Sequence, residues 1–395
     1  MYALQFINRP RRDMGWNRRL GREMLVAVVV ALCISSSASP LSAQSATAPS
    51  DGGLSQIFRV DRRQNAQSCS GCHAAPSLGG SSRVTVRREE QRVSGHYFPA
   101  GQDGTLHLQD ELSRDNVESP TGLRVTLDIL GEGYIEAIPD QTFRTISAAQ
   151  LKETRGKVHG EVTRVSLLEK QGRYKAVGHF GWKAQHASIL SASADALHSE
   201  LGVANQYFTD TPTAKGYAGH AASGSTADPA KLDDMVRFLR SSEPIAPDPE
   251  RSATESARAG SKLFDKIGCS ICHVRTLRAA PAGSKMLGGT MTVSDRVGDK
   301  EIHPFSDYLL HDVGTGDGII QNIRPQDYDE HTANKFRTAP LWGLRFRSWL
   351  MHDGKSITYH QAIMRHSGEA SEVIDRYEHL TPREKENIHQ FLDSL

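Results

Sequence analysis

Hydrophobic residues recur at helical spacing ahead of each of two similar cysteine motifs. Leu54, Ile57 and Phe58 follow an i, i+3, i+4 pattern, and Leu263, Phe264 and Ile267 follow an i, i+1, i+4 pattern ahead of the second motif. Residues at these intervals share one face of an α-helix. The pattern therefore predicts a short amphipathic helix before each motif.

Other stretches predict further elements. β-branched residues flank a Glu-Lys-Gln-Gly turn between Val162 and Phe180, which is typical of a small hairpin. The Ala/Ser/Leu-rich run from Gln185 to Leu201 predicts a helix, and Asp228-Pro229 opens another that runs to Ser242. Thr381-Pro382-Arg383-Glu384 is a capping box that opens the last helix. Between Ala74 and Asn116 the Gly/Ser/Arg-rich sequence has little periodicity and predicts loops.

The two motifs are Cys69-Ser70-Gly71-Cys72-His73 and Cys269-Ser270-Ile271-Cys272-His273. In each, two thiols three residues apart can add to the vinyl groups of a protoporphyrin, and the next imidazole can serve as an axial iron ligand. Two Cys-x-x-Cys pairs could also form a four-cysteine zinc site. A His directly after both pairs favours two covalently attached c-type haems.

The halves of the chain repeat one another. Pro229 to Phe238 and Pro382 to Phe391 are each nine residues apart, and Phe-Leu-x-Ser follows in both. This repeat predicts a mainly α fold of two cytochrome c-like haem domains in tandem, the first with a small β-hairpin and loop insertions. Three prolines between Glu243 and Glu250 cannot continue a helix and mark a linker. The predicted boundaries are a signal peptide at 1–43, haem domains at 44–242 and 252–395, and a linker at 243–251.

The amino terminus has the features of an export signal. A basic segment leads into an apolar run from Met24 to Ile34, followed by small residues up to Ala43. This run has about half of the roughly 20 apolar residues that a membrane-spanning helix needs. Cys33 would leave with the signal, so all four remaining cysteines lie in the two motifs. These features predict a periplasmic protein with no membrane span after signal removal and no free thiol.

The overall composition agrees with a soluble globular protein. The 395 residues are 38% hydrophobic and 24% charged, which is enough apolar material for two cores. The formal net charge of +1 favours neither nucleic acid nor an anionic membrane surface as a partner.

Several stretches of the second half resemble a known family. The two motifs lie about 200 residues apart and are followed by His311-Asp312-Val313-Gly314, by Phe336-Arg337-Thr338-Ala339-Pro340-Leu341-Trp342-Gly343-Leu344 and by His352-Asp353-Gly354. Together they resemble the di-haem oxidoreductases often labelled thiol oxidoreductases. These are relatives of bacterial di-haem cytochrome c peroxidases and of the di-haem enzyme that matures methylamine dehydrogenase. The resemblance is strongest from Ala259 to the end.

The resemblance implies a distal ligand for the second haem. In the peroxidases that ligand comes from a helix shortly after a His-Asp-Gly, and matching the helix through Gln361-Ala362 puts His366 at the ligand position. Met364 is the alternative ligand, and His366 could instead form only a hydrogen bond in the core. His311-Asp312 and His352-Asp353 are interpreted as structural or propionate contacts.

The resemblance also implies residues for the first haem. Phe180-Gly181-Trp182-Lys183-Ala184 followed by Glu200 is similar to a distal motif of the peroxidases, although their distal Gln has no match near Ser191 and Ala192. Trp182 would relay electrons between the haems and Glu200 would shuttle a proton. The alternatives are a core aromatic residue for Trp182 and a solvated helix-end acid for Glu200.

These residues predict a cytochrome c peroxidase-like oxidoreductase. The second haem, held by Cys269, Cys272, His273 and His366, would pass electrons to a reactive first haem held by Cys69, Cys72 and His73. The oxidant would be peroxide or a related molecule, and the electron donor a small cytochrome c or cupredoxin. Calcium is a further candidate cofactor, because the peroxidases hold it partly through carbonyls that side chains do not reveal. The rival hypothesis is a di-haem electron carrier without catalysis, in which His96 or His107 closes the first iron.

Overall fold

The computed structural model of the protein describes residues 69–81, 85–93, 96–99, 107–109, 121–201, 203–209, 227–321, 324–327 and 329–395. The predicted signal peptide and the predicted helix over Leu54 to Phe58 lie outside these residues. Within them, no helix is both long and apolar enough to span a membrane.

Helices dominate the described residues and include those expected from caps and periodicity. The Asp228 side chain accepts a hydrogen bond from the Ala230 amide at the start of its helix, and Thr381 and Glu384 form the predicted reciprocal capping box. The two predicted helices that begin at Pro229 and Pro382 are therefore confirmed. The helix predicted over 185–201 is confirmed in a shorter form, Ile189–Ser199. The α-helices are Cys69–Cys72, Glu132–Glu136, Asp140–Glu153, Ile189–Ser199, Pro229–Ser241, Pro249–Ser252, Glu255–Ile267, Tyr359–Met364, Ser371–Glu378 and Pro382–Leu392.

The prediction of loops between Ala74 and Asn116 is wrong. Thr85–Val93 is the central strand of an antiparallel sheet and pairs with His96–Pro99, His107–Gln109 and Thr121–Val125. Arg and Glu occupy most of the central strand, so its sequence lacks the alternation of apolar residues that identifies a strand. Its longest pairing is also with a distant segment, which local sequence cannot reveal.

The smaller strand pairs flank the helices. The predicted hairpin is confirmed, because Arg164–Ser166 pairs antiparallel with Lys175–Val177. Beyond the predicted linker, short antiparallel pairs brace the loops between the second cysteine motif and the last helices. They are Leu277–Arg278 with Glu301–Ile302, Lys285–Met286 with Met291–Thr292, and Leu310–His311 with Phe336–Arg337.

Two hydrophobic clusters hold these elements together. The larger contains Phe143 and Leu197 from the first half together with Leu277 and Leu309 from beyond the predicted linker. Residues 243–248 have no regular secondary structure, and Asp248 caps the short helix that ends the linker. The division into two haem domains stays a prediction.

The smaller cluster packs the helix before the second motif against the last helix of the chain. Phe264, Phe305 and Phe391 meet there with ring centroids 5.4–6.2 Å apart. A Cβ on Gly260 would lie 1.8 Å from the Asn387 carbonyl oxygen, so only glycine permits this approach of the two helices.

Candidate haem-binding cavities

The first cysteine motif lines a large cavity, called here the first cavity. Cys69, Cys72 and His73 lie on its wall. The space between its walls, counted out to its open mouth, is about 1390 Å³. Burial lowers the pKa of His73 to about 4, so its imidazole is neutral at neutral pH, the form that binds a metal. A porphyrin-sized group with an iron suits this wall.

The second motif lines a second cavity, with an empty volume of about 1520 Å³. Gly268 ends the preceding helix in the left-handed conformation, at φ 99°, and turns the chain into the Cys269–Ile271 3₁₀ turn. His273 donates its Nδ1 proton to the Phe305 carbonyl at 2.9 Å. This bond fixes the ring and leaves Nε2 for a metal. Burial lowers the pKa of His273 to about 4, which keeps the ring neutral.

His366 lies on the wall of the second cavity with His273. It donates its Nδ1 proton to the Ala362 carbonyl at 2.9 Å, and its Nε2 has no hydrogen-bond partner among the described residues. Burial lowers its pKa. Met364 packs against the smaller hydrophobic cluster instead. Of the two ligand candidates, His366 therefore has the position and the free nitrogen that an iron needs.

The arrangement of the four cysteines bears on the zinc alternative. Burial raises the pKa of Cys69 to about 11 and that of Cys269 to about 12, so both thiols are neutral in the haem-free chain. Cys69 and Cys72 lie on one cavity and Cys269 and Cys272 on the other. The two pairs do not come together into a four-cysteine site, and each pair lines a cavity of its own.

Comparison with known proteins agrees with this geometry. A family model described as "Di-haem oxidoreductase, putative peroxidase" matches residues 79–395. The chain belongs to this di-haem oxidoreductase family. The family implies haem cofactors, and each cavity has a histidine and a cysteine pair to hold one.

Other comparisons of this di-haem oxidoreductase are weaker. No curated protein matches the chain. Among solved structures it is similar to the hydrazine synthase of Kuenenia stuttgartiensis, with 16% identity, a TM-score of 0.41 and 86% of each chain covered. It is also similar to a MauG-like protein associated with microbial copper homeostasis, with 20% identity, a TM-score of 0.27, and 44% of this chain and 54% of that chain covered.

Trp182 and Glu200 both lie on the first cavity of the oxidoreductase. The indole Nε1 of Trp182 donates to the Val125 carbonyl at 2.8 Å, and Trp182 also lies on the second cavity. Glu200 directly follows the Ile189–Ser199 helix. Burial is the largest cause of the raised pKa of Cys69, and the negative charge of Glu200 is the second largest. The Glu200 carboxylate therefore lies close to the first motif.

Sequence reasoning missed other polar residues on the first cavity. Gln185 is buried there, and its side-chain oxygen accepts a hydrogen bond from the Lys183 amide at 3.1 Å. Its position directly after Gly-Trp-Lys-Ala is the sequence feature that could have indicated a place on this cavity. Glu132 lies on the same wall, and burial raises its pKa to about 8. Its sequence neighbourhood carries no signal for this position, because tertiary packing alone brings it to the cavity.

His311 lies on the second cavity between two carboxylates. Its Nε2 is 2.8 Å from Asp307 Oδ2 and its Nδ1 is 2.9 Å from Glu369 Oε2. Although burial opposes it, the charge of Asp307 raises the pKa of His311 well above its usual value. Cys272, Asp307 and His311 lie close enough together to hold a metal ion by distance. Both ring nitrogens of His311 are already hydrogen-bonded, and the role of His311-Asp312 as a structural or propionate contact stays a prediction.

Proposed function

We propose that this di-haem oxidoreductase is a periplasmic enzyme of the cytochrome c peroxidase type. A second haem c would pass electrons to a reactive first haem c that reduces hydrogen peroxide or a related oxidant. The observation that carries the proposal is the position of Trp182 on both cavities, combined with that of Glu200 on the first. Calcium between the haems stays a prediction.

The chain offers a complete set of groups to hold both haems. When bound, a haem with an open iron position supplies a site for peroxide, and a haem with two axial ligands supplies electron transfer. On the first cavity the groups are Cys69, Cys72 and His73. On the second they are Cys269, Cys272, His273 and His366.

Glu200 supplies the proton chemistry in this proposal. Reduction of one peroxide molecule to two waters consumes two electrons and two protons. The electrons would come from a small cytochrome c or a cupredoxin through the second cavity. The Glu200 carboxyl, on the wall of the first cavity, would deliver a proton to the departing oxygen as the O–O bond breaks.

Trp182 supplies a path between the cavities. Its indole is fixed by the bond to the Val125 carbonyl and lies edge-on to Phe336, with ring centroids 6.4 Å apart. Phe336 stacks on His352 at 3.6 Å. An indole held against both cavities is suited to relay electrons, because the path then crosses one fixed aromatic ring.

A Glu200→Gln variant tests the proposal. A positioned general acid contributes roughly 10²–10⁴-fold to rate, so peroxide turnover should fall by about that factor with both haems still attached. The assay follows oxidation of reduced cytochrome c after peroxide is added to half-reduced protein. Glu153→Gln, at an exposed helix end, is the matched control. Equal rates for wild type and Glu200→Gln would contradict the proposal.

The rival electron carrier needs a second ligand on the first iron. His186 is the other histidine on this wall among the described residues, and its nitrogens lie 3.1 Å from Ser191 Oγ and 3.2 Å from Asp195 Oδ2. Because both nitrogens of His186 already have polar partners, His186 is not free to bind the iron, which supports an open iron position in the first cavity. His96 and His107, the ligands that the rival hypothesis would use, lie in strands. A high-spin ferric signal in the oxidised or half-reduced protein favours the enzyme, and purely low-spin spectra in both forms favour the carrier.

A further inference from the structure

Two arginines on the wall of the second cavity lack a carboxylate partner. Arg337 and Arg347 both lie on this wall. Neither forms an ion pair with any acidic side chain of the described residues. By contrast, Arg365, near the same cavity, makes two hydrogen bonds to Asp353, at 2.9 and 2.7 Å. The two cavity arginines therefore carry charges that the protein itself leaves without a direct counter-ion.

Their hydrogen bonds are also incomplete. Arg337 donates from Nε to the Gly181 carbonyl at 2.6 Å, and its two Nη groups have no acceptor among the described residues. Arg347 donates one Nη to the Trp342 carbonyl at 3.1 Å, and its buried Nε has no acceptor. A guanidinium has five N–H donors in a planar fork. Most of the donors of this pair are thus available to a molecule in the cavity.

The nearest acidic side chains, Glu132 and Asp128, do not serve as direct counter-ions of the two arginines. The charge of Glu132 acts on Arg337 and that of Asp128 on Arg347, but burial is the larger effect and lowers the pKa of both guanidiniums. Burial likewise raises the pKa of Asp128 to about 6, and the Asp128 Oδ1 accepts a hydrogen bond from the Leu130 amide. Buried unpaired charge is strongly unfavourable. The pair is explained if an anion occupies the cavity.

A haem has two anionic groups, its propionates, and Arg is the side chain best suited to bind a carboxylate through two parallel hydrogen bonds. We propose that Arg337 and Arg347 bind the propionates of the haem in the second cavity. This inference rests on the haem of the proposed function, but it does not depend on peroxidase activity.

Arg337 would also connect that haem to the proposed electron relay. Its amide donates to the Trp182 carbonyl at 2.8 Å, while its Nε holds the Gly181 carbonyl. A propionate that fixes the Arg337 guanidinium would fix the backbone carrying the indole as well. Arg337 is therefore a positioning residue for Trp182 in addition to a haem contact.

Arg337→Met and Arg347→Met test the proposal in the haem-loaded protein. Spectroelectrochemical titration gives the midpoint potential of each haem, and the low-spin signal identifies the second. Loss of a nearby positive charge stabilises the ferric over the ferrous state, so the potential of the second haem should fall in both variants while that of the first changes less. Arg345→Met is the matched control, because Arg345 lies on the same loop but donates to the Ala246 carbonyl, at 2.9 Å, outside the cavity.

Unchanged potentials, or an equal fall in Arg345→Met, would overturn the proposal. If the methionine variants do not accumulate, Arg337→Lys and Arg347→Lys keep the charge but lose the planar fork. Their resonance Raman bands for propionate bending should shift, and unshifted bands would overturn the assignment. Failure of the Glu200→Gln test would leave these measurements unaffected, so the two proposals can fail separately.

Discussion

The ion pair of Asp353 and Arg365 anchors the segment that bears His366. The Asp353 carboxylate accepts hydrogen bonds from Arg365 at 2.9 and 2.7 Å and from the Lys355 amide at 3.2 Å. Arg365 directly precedes His366 in the chain. Asp353→Asn removes the charge and one acceptor oxygen but preserves the shape of the side chain. We expect this change to loosen the anchor without creating a cavity.

The magnitude follows from the exposure of the two side chains. Breaking a buried ion pair costs about 3–5 kcal/mol, whereas exposed pairs contribute about 0–1 kcal/mol. Asp353 is 8% exposed and Arg365 is 29% exposed, which places this pair between those limits. One hydrogen bond can also survive in the Asn variant. We therefore expect a loss of about 2 kcal/mol in the free energy of unfolding at pH 7.

The effect should depend on pH with a defined sign. Burial opposes ionisation, but the hydrogen bond from Arg365 and the charge of His352 hold the pKa of Asp353 below its usual value. A carboxyl with a lowered folded pKa stabilises the protein above its unfolded pKa, about 3.9. That contribution is lost as the pH falls from about 4 towards the folded pKa. The difference between wild type and Asp353→Asn should shrink over this range.

Urea unfolding of the haem-loaded protein at pH 7 and near pH 3 measures both quantities, and the low-spin absorbance reports His366 ligation in the same titration. Asp375→Asn is the control, because Asp375 is 71% exposed and 3.7 Å from His379; its effect should stay within about 0.5 kcal/mol. Equal losses in the two variants, or a loss for Asp353→Asn that is the same at both pH values, would refute the reasoning.

Three further predictions concern the second cavity and its support. His366→Ala should convert one low-spin haem to high-spin while Met364→Ala should not, and electron paramagnetic resonance showing the opposite would contradict the ligand assignment. Replacing both cysteines of the second motif by Ser should halve the haem per chain on haem-stained denaturing gels, and unchanged staining would exclude covalent attachment there. Gly260→Ala should lower the free energy of unfolding in urea by about 1–3 kcal/mol or more, because the new Cβ would lie 1.8 Å from the Asn387 carbonyl oxygen. Arg258→Ala, at an exposed position of the same helix, is the control and should change the free energy little. Similar losses for both variants would contradict the packing argument.

Local chemistry made part of the fold and site predictable. The caps at Asp228 and Thr381 act within a few residues, so the sequence displays them directly. The two cysteine motifs are local as well. Trp182 and Glu200 were found through a resemblance, and the structure brings both to the first cavity. Their roles as relay and acid stay predictions.

The parts that were missed depend on contacts between distant segments. The charged strand Thr85–Val93 forms because Thr121–Val125 returns to pair with it, and no pattern within the strand itself indicates this. Arg337 lay inside a recognised stretch, yet its sequence does not show that its guanidinium would line a cavity without a carboxylate partner. Gln185 lies well before Ser191 and Ala192, where the spacing of the peroxidases places their distal Gln, so the family pattern does not indicate it.

The larger hydrophobic cluster has a consequence for how the protein matures. It joins Phe143 and Leu197 to Leu277 and Leu309, so part of the packing around the first cavity comes from chain that is synthesised much later. Before Leu309 has been made, Cys69 and Cys72 belong to a chain whose hydrophobic core is incomplete. If haem c is attached to Cys69 and Cys72 as proposed, completion of this core would end the period in which the two thiols can react.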